Sequence, residues 1–215
     1  MKGRFSLLNN GLKKLIQASK QALVIVDMQN DFIEEGGAFS QGGFNVRSFE
    51  PIISVIQKLL KTARIQEIPV IYLTMVHDQN NDGQKAWKKR REAFNHPNSC
   101  RRNTWGVQLI ERLKPLQSEC IIQKHRYNGF TNSQLQNYLT EKGIESLIFT
   151  GVNTNVCVEA TARAAHDLDY HVALIEDATA TAYEDAYLAS LRNFERHFGL
   201  VMKSEEWIKS VSYVK

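Results

Sequence analysis

Short apolar runs of β-forming residues alternate along this chain with longer stretches of helical periodicity. Ala22-Leu23-Val24-Ile25-Val26 is the first such run and ends at Asp27. Val70-Ile71-Tyr72-Leu73, opened by Pro69, is the second, and Cys120-Ile121-Ile122-Gln123 is the third. Leu147 to Gly151, Val172 to Ile175 and Leu200 to Met202 follow. Helical spacing marks the intervals, as in Ile52, Ile53, Val55, Ile56, Leu59, Leu60 and Ala63. Strands separated by helices lie parallel in one sheet, with helices on both faces. The expected fold is therefore α/β: a three-layer α/β/α sandwich around a mainly parallel sheet of about six strands.

The helices are expected at about 49–66, 132–142, from Cys157 to about 168, and 184–197. Leu7, Leu8, Leu12, Leu15 and Ile16 predict an amphipathic helix at the N-terminus. Residues 77–105 are polar and charged, and read as a long insert outside the core. The 215 residues show no internal repeat, low-complexity tract or linker, so one domain over 1–215 is the economical expectation.

A net charge of +4 is too mild to argue for nucleic acid, and no apolar stretch approaches a membrane span. The runs Lys88-Lys89-Arg90-Arg91 and Arg101-Arg102 are expected mainly as solvated faces, with substrate or partner contact as the other reading. Three irregularly spaced cysteines suggest no disulfide framework, and the N-terminus lacks an apolar core with a cleavage site. A reducing, cytoplasmic setting is the default expectation.

In parallel sheets chemistry gathers at the carboxyl ends of strands, where strand order reverses. Asp27, Lys124 and Cys157 each follow the end of a different expected strand. Cys157 lies where a strand gives way to a helix, and a thiol at the positive end of a helix dipole is expected to favour its thiolate. Asp27 suits a general base, or else a helix cap, with Asp31 as the rival carboxylate. Lys124 suits a cation beside the thiolate, or else a surface lysine. Its neighbour His125 offers a Cys–His alternative, but successive strand side chains point to opposite faces. Cys120 reads as a buried small apolar residue, and Cys100 lies beside Arg101 in the insert. His77, Asp78 and His96 match no familiar metal-ligand spacing.

Three segments, ALVIVDMQNDF at 22–32, IIQKHRYNGFTNSQL at 121–135 and FTGVNTNVCVEATARAA at 149–165, resemble the cysteine hydrolases of the isochorismatase-like superfamily. Ile175-Glu176-Asp177-Ala178 also fits, and the resemblance spans about residues 20–208. It implies an Asp–Lys–Cys triad carried by Asp27, Lys124 and Cys157. It implies a non-proline cis peptide between Val152 and Asn153, and an oxyanion hole from the N–H groups of Asn153 and Cys157. It also suggests a homodimer or homotetramer; the expected partners are a small-molecule substrate and water, with no cofactor or metal.

Within the superfamily the chain is most similar to the ureidoacrylate, biuret and N-carbamoyl amidohydrolases, on DMQNDFIEEGGAF at 27–39, RNTWGVQLIERLKP at 102–115, RYNGFTNSQL and TNVCVEATAR. His125 and Thr131 depart from the ureidoacrylate pattern. Thr74-Met75-Val76-His77-Asp78 lacks the Asp/His metal cluster of nicotinamidases. The expected function is cysteine-dependent hydrolysis of a C–N bond in a small linear amide, ureide or carbamoyl compound, through a thioester. A nicotinamidase-type amidase and a non-catalytic binding or assembly protein are the alternatives. Asn30, Trp87 and Tyr127 are candidate substrate contacts.

Overall fold

In the computed structural model, which describes residues 2–93 and 98–212, α1 (Lys2–Ala18) leads into β1 (Gln21–Val26). All six β1 residues are buried, as befits a strand covered on both faces. Two single-turn helices, α2 (Asn30–Ile33) and α3 (Ala38–Gln41), precede the long α4 (Glu50–Ile65). Strand β2 (Val70–Met75) is as buried as β1. Helix α5 (Ala86–Ala93) lies in the polar stretch before β3 (Cys120–Lys124). Then come α6 (Leu135–Lys142), β4 (Ser146–Val152), α7 (Glu159–Asp167) and β5 (His171–Ala180). The chain continues through α8 (Glu184–His197), β6 (Leu200–Met202) and α9 (Ser204–Ser212).

Local chemistry sets these boundaries. Helix α4 has Pro51 in its first turn, where no intrahelical N–H is needed. Its acidic Glu50 and basic Arg64 lie at the ends that the helix dipole favours. Its buried stripe is Ile52, Ile53, Ile56, Leu59, Leu60 and Ala63. Each of its isoleucines and leucines contributes about 1.5–3 kcal/mol on full burial. Helix α8 opens on Glu184 and Asp185 and closes on Arg196 and His197, again matched to the dipole.

The sheet order is β3-β2-β1-β4-β5-β6, and every neighbouring pair is parallel. Strand order reverses between β1 and β4, so a crevice opens beyond their carboxyl ends. Val26 and Gly151 face each other there. A Cβ on Gly151 would stand 2.1 Å from the Val26 carbonyl oxygen, and its φ is +102°. Only glycine lets the two backbones meet at that point. Helices α4 and α9 pack together and contact β5, with α1 against β5 and β6. Helices α7 and α8 form a second pair, over β4, β5 and β6.

All six expected strands are present, and the α/β expectation is met. Several boundaries differ. Strand β5 runs on to Ala180 instead of stopping at Ile175. Helix α6 starts at Leu135, because the Ser133 hydroxyl accepts from the Leu135 N–H and donates to the Gly129 carbonyl, holding a turn. Helix α9 was not anticipated. It buries Trp207 and Val211, and Asp177 accepts from both the N–H and the hydroxyl of Ser204 at its start. In α1, Ile16 is buried and Leu15 exposed, while the side chains of Leu7 and Leu8 fall outside the described part. Among the described residues no helix is long and apolar enough to cross a membrane.

The largest correction concerns 77–105. Expected to lie outside the core, this segment buries His77, Arg91, Ser99 and Cys100. Buried acceptors pull it in: Asp31 Oδ2 takes the Cys100 N–H at 2.5 Å, and the Cys100 carbonyl takes the His77 N–H at 2.8 Å.

Candidate active site

Three strand ends bring Asp27, Lys124 and Cys157 together. Asp27 directly follows β1 with φ +52°, a left-handed conformation that a short polar side chain tolerates. Lys124 is the last residue of β3. Cys157 sits in a wide π-type turn, Thr154–Val158, between β4 and α7. Strand β2 separates β3 from β1, so Lys124 must reach across about two inter-strand spacings, roughly 9.5 Å. Its long stem does so: Nζ donates to Asp27 Oδ2 at 2.7 Å and to the Arg126 carbonyl at 3.4 Å. The ion pair is fully buried, with side-chain exposures of 0% and 1%. Lys124 is thus no surface lysine.

The Cys157 thiol interacts with both partners of that pair. Asp27 Oδ1 is buried and has no hydrogen-bond partner, while Oδ2 takes the ammonium. Burial, then the negative charge of Asp27, pushes the thiol pKa well above its usual range, although Lys124 pulls it down. This corrects the expectation of a resting thiolate. A helix dipole delivers only partial charge, and full burial beside a carboxylate outweighs it. The Cys157 proton is therefore in place until a base removes it. Burial alone would lower the Lys124 pKa, but Asp27 and Cys157 outweigh it and hold the ammonium above its usual range.

Cys157 and Asp27 open onto a cavity of about 140 Å3, room for a small molecule. Phe32, Phe39, Phe44, Met75, Val156, Ala182 and Tyr183 give it an apolar lining. His77, Trp87, Arg91, Ser99 and Tyr127 form a more polar side, and Asn153 lies beside Cys157. The Val152–Asn153 peptide is cis, as the resemblance implies. Thr161, one helical turn beyond Cys157, is completely buried. Its hydroxyl donates to the Cys157 carbonyl at 2.7 Å and accepts from the Gly129 N–H at 3.0 Å. It ties the thiol-bearing turn to the loop that carries Tyr127.

Of the three candidate substrate contacts, Trp87 and Tyr127 line the cavity, edge to face at 4.6 Å. Asn30 does not line it. Its amide donates to the Trp105 carbonyl at 2.9 Å and fixes the 105–108 loop instead. Asp31 is structural too, with Oδ1 taking the Ala38 N–H and Oδ2 that of Cys100. His125 is half-buried and off the cavity, as strand alternation predicts. Cys120 is half-buried in β3, and Cys100 is fully buried, with its pKa raised by that burial. Among the described residues no three metal-ligating side chains gather, and His96 lies outside those residues.

Several site residues escaped the sequence reading. Gln29 clamps the end of β2, donating to the Met75 carbonyl and accepting from its N–H, and donates also to the Val107 carbonyl. His77 lines the cavity as a neutral imidazole, its pKa lowered by burial and by Arg91 to about 3. Arg91 was grouped with its exposed neighbours, yet it is buried against the cavity. One signal was available: Arg91 falls four residues after Trp87, on the same face of α5.

With this geometry in view, comparison with known proteins is decisive about kinship. The isochorismatase domain model matches residues 21–206. The chain belongs to the isochorismatase family. Within the family, a ureidoacrylate amidohydrolase from Yersinia enterocolitica is 36% identical over 207 residues, covering 90% of each chain. Another from Stutzerimonas stutzeri is 35% identical, covering 91% of this chain and 84% of its own. A family crystal structure, a cysteine hydrolase from Pseudomonas syringae pv. phaseolicola, superposes with a TM-score of 0.80 at 31% identity. That match covers 90% of this chain and 92% of the other.

Proposed function

We propose that this protein is a cysteine-dependent amidohydrolase that cleaves a C–N bond of a small linear amide, ureide or carbamoyl compound. The observation that carries this reading is the buried Asp27–Lys124 pair placed directly against the Cys157 thiol at the floor of a small-molecule cavity. The similarity to ureidoacrylate amidohydrolases supports the reaction class.

In this mechanism Asp27 takes the thiol proton as Sγ bonds to the substrate carbonyl carbon. Lys124, positioned against both groups, stabilises the negative charge as it moves from carboxylate to sulfur. The tetrahedral oxyanion is held by the N–H groups of Asn153 and Cys157, and losing one such donor costs on the order of 3 kcal/mol. Collapse breaks the C–N bond, and Asp27 returns its proton to the departing ammonia or amine. The acyl group remains on Cys157 as a thioester. Water then attacks this carbonyl while Asp27 takes its proton. The C–S bond breaks, the acid is released, and the proton on Asp27 returns to sulfur. A thiol that rests protonated suits this sequence, because its proton is the one that leaves with the amine, and water supplies the proton that later returns to sulfur through Asp27.

The test is ammonia release from a panel of linear amides, ureides and carbamoyl compounds. Cys157→Ala is expected to lower the rate by about 10⁴-fold or more. Mass spectrometry of the unmodified enzyme, quenched during turnover, is expected to find the acyl group on Cys157. Full activity in Cys157→Ala would overturn the mechanism.

A further inference from the structure

Helix α5 has little of its own to hold it in place. Its sequence, AWKKRREA, offers Trp87 as the one large apolar side chain, so no apolar stripe packs it on the core. Trp87 lines the cavity all the same, edge to face with Tyr127 at 4.6 Å. Its indole Nε1–H is buried and meets no acceptor among the described residues. The orientation of the ring therefore decides where that donor points within the cavity.

Arg126 lies over that ring, with its guanidinium carbon 4.8 Å from the indole centroid. Both hydrogens of Nη1 are used, on the Asn81 carbonyl at 3.0 Å and the His125 carbonyl at 2.6 Å. Two such bonds fix the plane of the group. Asn81 is itself tied down. Its side-chain oxygen takes the Asp78 N–H at 3.0 Å, and its amide donates to the Val76 carbonyl, just past β2, at 3.1 Å. Gly83, at φ +71°, lets the chain pass close by: a Cβ there would stand 3.2 Å from Arg126 Nη2 and 3.7 Å from Trp87 Cβ. Arg126 does not line the cavity, so it reaches a ligand only through Trp87. Its own carbonyl accepts from Lys124 Nζ at 3.4 Å. One residue thus receives the lysine of the candidate triad on its main chain and an aromatic wall of the cavity on its side chain.

We propose that Arg126 is a positioning residue that seats Trp87, and through it sets how tightly the cavity holds the part of the substrate that does not react. A stacked guanidinium on two hydrogen bonds has a fixed plane to lay on the indole, and an ammonium has none. Trp87 and Tyr127 are then the groups that recognise substrate, and Arg126 holds the first against the second. The statement about substrate rests on the amidohydrolase reading; the seating of Trp87 does not.

Two measurements on full-length protein test this. The first is steady-state hydrolysis of the linear amide, ureide or carbamoyl compound in the panel that releases ammonia fastest. Arg126→Met is expected to raise KM about tenfold and to leave kcat within about twofold, because the carbonyl that receives Lys124 is main chain and remains. Arg126→Lys keeps the charge without the plane, and is expected to raise KM in the same direction. The second is acrylamide quenching of fluorescence in a Trp105→Phe background. The chain has three tryptophans and Trp207 is only 1% exposed, so quenching then reports on Trp87. Arg126→Met in that background is expected to raise the quenching constant and to shift the emission to longer wavelength. Should Arg126→Met fail to fold, Arg126→Lys decides by the same two readouts. An unchanged KM in active enzyme, or unchanged quenching, overturns the proposal. So does a fall in kcat with KM unmoved, which would put Arg126 in the chemical step through Lys124. Turnover by the unmodified enzyme, with quenching unmoved by the substitution, would keep the amidohydrolase and sink the seating. Increased quenching in a protein whose unmodified form hydrolyses nothing in the panel would do the reverse.

Discussion

The two sides of the cavity are built differently. One hangs on strand ends: Asp27 after β1, Asn153 and Cys157 after β4, with Lys124 of β3 behind them. Parallel ladders and the close approach at Gly151 fix that side. The other side belongs, apart from Tyr127, to the segment between β2 and β3, which contains a single α-helix among its described residues. Individual ties hold it: Asp31 to the Cys100 N–H, Asp82 to Arg91 and Arg101, and Gln29 to Met75 and Val107. Regular hydrogen bonding positions the groups proposed to react, and irregular side-chain ties position the groups proposed to recognise. Such a division lets one side vary with little disturbance of the other.

The strongest way to break this contrast is Lys124→Met. It leaves Asp27 as an uncompensated charge under the sheet, at a cost of about 3–5 kcal/mol. Urea unfolding is expected to show that loss, and ammonia release to disappear with it. A variant of unchanged stability would show that the strand-end side does not depend on its ion pair.

Thr161→Val asks a smaller question of the same side. It removes the donor to the Cys157 carbonyl and leaves the Gly129 N–H without its acceptor. The expected loss is about 1–3 kcal/mol, with a lower turnover rate as the thiol-bearing turn loosens. An unmoved unfolding midpoint would mean that β4 and α7 hold the turn without it.

The smallest effect at neutral pH comes from the recognition side. The folded His77 pKa is lowered to about 3, against 6.5 for an ordinary histidine. Between those values the unfolded chain binds a proton that the folded one refuses. Stability is therefore intact above pH 6.5 and falls as pH drops toward 3, by about 1.4 kcal/mol per pH unit from this group. His77→Gln is expected to flatten that slope in unfolding curves recorded between pH 6.5 and 4. An unchanged slope would place the imidazole in water.

The strand-end side was legible in the sequence for a physical reason. Buried parallel strands read as unbroken apolar runs, and their last residues must face the crevice, so Asp27, Lys124 and Cys157 announce themselves by position. The recognition side carries no such period. Arg91 looks like Lys88 and Arg90 until α5 is folded and its i, i+4 relation to Trp87 sets it against the cavity. Asn30 failed as a substrate contact because the partner of its amide, the Trp105 carbonyl, lies 75 residues away. The charge state of Cys157 was misread because helix polarity is visible locally, whereas burial is a property of the whole fold. Helix α9 has no local signal of this kind, because its anchor, Asp177, lies in β5, 27 residues before Ser204.

Lys124 has one more consequence. It reaches Asp27 from β3, which is one edge of the sheet and pairs with β2 alone. Ile121 on that strand is half exposed. Edge strands open at lower free energy than central ones. Any peeling of β3 withdraws the ammonium from beneath the site while β1, β4 and the thiol-bearing turn still stand. An edge of the sheet and a fully buried charge are thus mechanically one part. On warming, amide exchange along 120–124 and loss of turnover should rise together, ahead of the collapse of the remaining sheet.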